Sequence, residues 1–82
     1  MNSTAKKIPF EALAINHVEV TDKFLVAQIN DGRTVSLPLS WFPKLLSASE
    51  KARLNFMISP SGYGIHWPDI DEDISIKAFV NS

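Results

Sequence analysis

Phe24-Leu25-Val26-Ala27-Gln28-Ile29-Asn30-Asp31-Gly32-Arg33-Thr34-Val35-Ser36-Leu37-Pro38-Leu39 is the stretch on which the fold turns. Residues 24–29 are almost continuously apolar, the mark of a strand covered on both faces. Asn30-Asp31-Gly32 is the strongest turn signal in the chain, and residues 34–39 alternate apolar with polar. Side-chain parity selects the turn. A two-residue Asp31-Gly32 loop would set Ile29 against Thr34 and Gln28 against Val35, mixing the two faces. A three-residue Asn30-Asp31-Gly32 loop sets Ala27 against Val35 and Leu25 against Leu37. One face then stays apolar, and Gly32 falls where a left-handed residue follows a type I turn. The three-residue loop is the one expected. Pro38 lacks an amide proton, so the later strand is an edge or ends there.

Working outward, Asn16-His17-Val18-Glu19-Val20 alternates as a strand, led in by Phe10, Leu13 and Ile15, and Thr21-Asp22-Lys23 turns it into Phe24. These pieces predict an antiparallel meander of three strands. Residues 1–8 read as a flexible N-terminal arm. On the far side, Ser40 is placed to cap a short helix, Trp41-Phe42-Pro43-Lys44-Leu45-Leu46, with Pro43 tolerated in its first turn. Trp41 with Leu45 and Phe42 with Leu46 stand one turn apart and are expected to cover the sheet. Ser49 caps a second short helix, Glu50-Lys51-Ala52-Arg53-Leu54, whose Glu50 suits the positive end of the dipole.

Phe56-Met57-Ile58 reads as a strand, Ser59-Pro60-Ser61-Gly62 as a turn, and Tyr63 to Trp67 as the returning strand, ended by Pro68. Beyond the acids Asp69, Asp71, Glu72 and Asp73, the segment Ile74–Val80 fits both periods; a short helix from about Ser75 is expected. The sum is an α+β class: a small single domain over residues 1–82, with an antiparallel meander of three strands, two short helices, a second hairpin and a short C-terminal element.

Composition narrows the functions. At 82 residues with 45% hydrophobic content, the chain can bury one modest core, and oligomer formation is a common way for chains of this size to bury more. Eight Lys and Arg stand against nine Asp and Glu, and the basic residues are scattered, so direct nucleic-acid binding is not expected. The absence of cysteine excludes disulfides, thiolate zinc sites and a cysteine nucleophile, and suits a reducing cytoplasm. No run approaches the roughly 20 apolar residues of a membrane span, and the N-terminus does not form a signal sequence. A soluble protein is expected.

Leu39-Ser40-Trp41-Phe42-Pro43-Lys44-Leu45-Leu46, the Asp31-Gly32 hairpin, and Gly62-Tyr63-Gly64-Ile65-His66-Trp67-Pro68-Asp69 with Asp71-Glu72-Asp73-Ile74-Ser75 together resemble a family of short bacterial proteins known as a domain of unknown function, family twenty-four forty-two. The last block is the most specific, and the resemblance runs from about Ile15 onward. It implies an α+β domain in a bacterial cytoplasm. Some longer relatives carry a helix-turn-helix domain after this one, and others resemble partners in toxin–antitoxin-like gene pairs. With the given chain ending at Ser82, the regulatory role of the longer forms is not expected of it. The resemblance implies no catalytic residue.

The segment Ser61–Asp73 concentrates the residues that could carry chemistry. His66 with Asp69, Asp71 and Asp73 has a metal-like composition, but the spacing matches no mononuclear motif. Ile74 stands where a calcium loop needs its glycine. Gly62 and Gly64 lack the continuation of a phosphate cradle and fit a hairpin turn instead. Ser61 lacks the strand–elbow–helix setting of a serine nucleophile. His17 lies beside Glu19 on a strand surface. No catalytic residue, cofactor or metal is therefore assigned. Trp41, Tyr63, His66, Trp67 and Asp69 form a candidate interaction patch, with Tyr63 and Trp67 weighed against a core role and Trp41 against helix-to-sheet packing. The expectation is a non-enzymatic interaction or regulatory module that pairs with itself or another small protein. The alternative is a metal-dependent or acid/base enzyme centred on His66 and the acids of residues 69–73.

Overall fold

Ala27 stands opposite Val35 and Leu25 opposite Leu37, as the three-residue turn requires. Gly32 takes φ +100°, its amide donates to Ile29 O, and Ile29 N donates to Arg33 O. Asp31 fixes the loop from within: its carboxylate accepts from Arg33 N at 3.1 Å and Arg33 Nε at 2.8 Å. That guanidinium holds the Asp31 carboxyl below its ordinary range, chiefly through the side-chain hydrogen bond.

The structure is a computed structural model that describes residues 8–80. The expected arm at residues 1–8 lies, apart from Ile8, outside the described residues. The chain makes two antiparallel three-stranded sheets. In the first, β1 (Ile15–Val20), β2 (Phe24–Ile29) and β3 (Thr34–Pro38) lie in the order β1-β2-β3, so β3 is an edge and ends on its proline. Two short helices follow, α1 (Pro43–Leu46) and α2 (Glu50–Leu54). The second sheet holds β4 (Met57–Ile58), β5 (Gly64–Trp67) and β6 (Glu72–Ser75), with β5 central, and the chain closes on α3 (Lys77–Val80).

The core lies between the layers. Ile15, Val18, Leu25, Ala27, Ile29 and Leu37 of the first sheet join Leu39, Leu45, Ile65, Trp67, Ile74, Ile76 and Phe79 in one cluster, with no buried polar side chain among the described residues. Burying a large apolar side chain fully is worth about 1.5–3 kcal/mol, so this cluster holds helices too short to persist alone.

Four expectations change. The central strand β2 is covered on one face only: Leu25, Ala27 and Ile29 are buried while Phe24 and Gln28 are exposed and Val26 is half-buried. A single layer packs on this sheet within the described residues, and Val26 gains its partial cover from Glu19 and Ser36 across the strands. Ser40 caps no helix. Residues Leu39–Trp41 form a 3-10 turn, and α1 starts at Pro43, whose fixed φ suits the first helical position, with Phe42 at its N-cap and no side-chain cap bond. The early turn leaves Trp41 63% exposed instead of packed on the sheet. The acids do not lead directly into a helix: Glu72 and Asp73 begin β6, and the helix waits until Lys77. Trp67 pairs with Glu72 across a four-residue loop whose last residue, Asp71, takes φ 52°, a conformation aspartate tolerates.

Ser49 does cap α2, accepting from Ala52 N at 3.1 Å. Arg53 ties the two helices, with Nε donating to Leu45 O at 2.9 Å and Nη2 to Leu46 O at 2.7 Å. The sheets are joined at Gly62: its carbonyl accepts from Ile15 N at 2.7 Å.

Candidate functional site

The second sheet owes its two faces to strand parity. On β5, Ile65 and Trp67 point inward and are buried, whereas Gly64 and His66 face out. Register then fixes what stands beside them. Met57, His66 and Asp73 form one row across the three strands, and Ile58, Ile65 and Ile74 form the row behind it. Gly64 stands opposite Ser75, and Ser59 N donates to Gly64 O, so small residues border the larger row and leave a depression.

That depression is a groove of about 280 Å³ lined by Met57, Ile58, Ser59, Pro60, Gly64, His66 and Asp73. Met57 is 57% exposed. His66 Nδ1 lies 2.8 Å from Asp73 Oδ1, within hydrogen-bond distance. Both side chains remain open to solvent, at 38% for His66 and 75% for Asp73. Ser59 is committed to the turn: its Oγ accepts from Tyr63 N at 2.9 Å and Gly64 N at 3.1 Å. The groove thus combines apolar walls with one imidazole–carboxylate pair. A second depression of about 400 Å³ lies between the turn after β1 and α2, lined by Val20, Thr21, Asp22, Glu50, Arg53 and Leu54. There the arginine is already engaged by the α1 carbonyls.

The structure divides the five residues of the sequence-derived patch. His66 lines the groove. Trp67 leaves the patch, being fully buried with its indole Nε1 donating to Arg53 O at 3.0 Å and its ring tilted against Phe56 at 6.0 Å. Parity explains this correction, because a residue following outward-facing His66 must face in. Tyr63 is 48% exposed but lies before β5, outside the groove lining. Trp41 is exposed on the 3-10 turn after β3, also away from the lining. Asp69 accepts from Asn55 Nδ2 at 3.2 Å and holds the β5–β6 loop against the end of α2. His17 sits 3.3 Å from Glu19 on the exposed face of β1, as its position in the alternation predicts. Among the described residues, no group of three or more His, Asp and Glu is gathered to hold a metal ion. No described helix is long and apolar enough to cross a membrane.

Met57, Ile58 and Pro60 were not singled out by sequence, and Asp73 was named only among the acids grouped with His66. The signal lay in the hairpin register: with Ser59 opposite Gly64 and residues 60–63 as the loop, Met57 must stand opposite His66. What the sequence hid was β6, without which Asp73 has no fixed neighbour.

Residues 15–82 match the family model described as "Protein of unknown function (DUF2442)". No curated protein and no solved structure matches the chain.

Proposed function

The chain belongs to the DUF2442 family of proteins of unknown function, and on that premise we propose that it works as a non-enzymatic interaction module that docks another protein on the outer face of its second sheet. The observation that carries this reading is the row Met57–His66–Asp73. It puts an exposed apolar anchor, a hydrogen-bonding ring and a carboxylate side by side over a groove, the mixture that protein contacts use at their centre and rim. The two edge strands of the same sheet, β4 and β6, extend the available backbone.

In its finer form the proposal places the chain in the bacterial cytoplasm, with the product of a neighbouring, toxin–antitoxin-like gene as partner. The family resemblance supports this. Affinity purification from the native source tests the docking face: Met57→Lys should release the partner, while Glu19→Lys, on the first sheet, should retain it. Release by neither variant, or by both alike, would sink the proposal.

The 2.8 Å His66–Asp73 pair also favours a second reading, an acid/base or metal-assisted activity. Metal analysis of protein purified without chelator, with melting curves in added zinc or manganese, separates the two. Stoichiometric metal or a raised melting temperature would favour the second.

A further inference from the structure

Resting on that reading of the second sheet, we infer that the groove's occupant is a cationic segment of a partner protein, one that presents a lysine or arginine next to an apolar side chain. The apolar side chain seats against Met57, Ile58 and Pro60 over the bare backbone of Gly64, and the cation reaches Asp73. Asp73 spends Oδ1 on His66, and among the described residues Oδ2 has no protein donor.

Charge is divided along the chain in the sense this occupant needs. From Met57 to Ile76 there are four acids, Asp69, Asp71, Glu72 and Asp73, and no lysine or arginine, a formal charge of −4 with histidine neutral. The whole chain carries −1, so the remainder carries +3. Among the described residues none of Asp69, Asp71 and Glu72 forms an ion pair, and Asp73 meets only His66. Among the described residues, the lysine that approaches, Lys44, donates to the backbone oxygen of Asp71 at 3.1 Å. Of these acids Asp73 lines the groove, whereas Glu72 pairs with inward-facing Trp67 and Asp69 accepts from Asn55. A two-fold pairing of this face with its own copy would bring two Asp73 carboxylates together, because an isologous interface opposes each patch to itself. Like charges brought together suppress such pairing, and opposite charges steer a basic partner toward the face.

The test uses two short synthetic peptides with the same apolar residues, one carrying lysines and the other glutamates, titrated into the isotopically labelled full chain while amide chemical shifts are recorded. The lysine peptide is expected to move the amides of Met57, Gly64, His66 and Asp73, with affinity falling as salt rises from about 50 to about 300 mM. Asp73→Asn should weaken it roughly two- to fivefold, the range of an exposed ion pair. Met57→Ser, a surface change that leaves the core intact, should weaken it independently. Equal binding of the glutamate peptide, or shifts confined to the first sheet, would overturn the inference. If neither peptide binds while the native complex still depends on Met57, the docking face stands and the cationic occupant is wrong. If the lysine peptide binds but the native complex ignores Met57→Lys, both fall. Concentration-dependent self-association that the lysine peptide competes away would replace the foreign partner with the basic part of a second copy.

Discussion

A methyl group on Gly62 would lie 2.7 Å from Ala14 Cβ and 2.9 Å from both N and O of Ile15, at a backbone φ of +72°. Gly32 also has positive φ, but nothing lies within 4 Å of the same added carbon. The two glycines therefore separate conformational strain from steric contact. Gly32→Ala should cost about 1 kcal/mol, the strain alone. Gly62→Ala should cost about 3 kcal/mol, because it also pushes the second sheet off the start of β1. Urea titration of both variants checks this, and equal losses would contradict it. Sequence showed that both positions sit in turns; it could not show that Gly62 touches another sheet. Asp31 offers a pH test. Its carboxyl lies below the ordinary range because Arg33 bonds the ionised form, so the stabilisation is present above pH about 4 and disappears as pH falls through the lowered folded value. The gap in urea midpoint between the native chain and Arg33→Ala should be constant from about pH 8 to about pH 5 and shrink toward zero below about pH 4. A gap that persists in acid would place the contribution of Arg33 elsewhere.

Elements were legible where local chemistry and register agreed. The Asn30-Asp31-Gly32 turn follows from parity and one positive-φ residue, and the α2 cap from a serine three residues ahead of Ala52. Removing that cap with Ser49→Ala should lower stability by about 1 kcal/mol and leave the groove unchanged, a result that thermal melts and amide shifts would show together. Large shifts at His66 would mean that α2 and the second sheet are more tightly coupled than Arg53 and Trp67 imply. Elements were missed where tertiary contacts override local signals. Ser40 is a good cap by type, yet Pro43 starts its own helix and the preceding turn closes as a 3-10 step, with Phe42 N donating to Leu39 O at 2.8 Å. Glu72-Asp73-Ile74-Ser75 has weak strand propensity, and β5 supplies the pairing that makes it a strand. Trp67, weighed in the sequence between a core role and the patch, lies in the core. Two large aromatics, Trp41 and Trp67, look alike in sequence, and only the strand parity shown by buried Ile65 and Ile74 tells the core residue from the exposed one.

At the scale of the molecule, two small sheets share one core, are fastened to each other at Gly62–Ile15, and differ in charge, with Trp67 of the second sheet tied to Arg53 of α2. The first sheet leaves Phe24 and Gln28 exposed beside a His17–Glu19 pair; the second offers an apolar groove with an acidic border. Of these two faces, the account assigns docking to the second. The direct measurement is site-specific photo-crosslinking in the native cell, with the crosslinking residue placed at position 57 in one chain and at position 19 in another, followed by sequencing of the joined peptides. The account predicts one recurrent crosslinked segment from position 57 and none from position 19. A recurrent crosslink from position 19 with nothing from position 57 would contradict it.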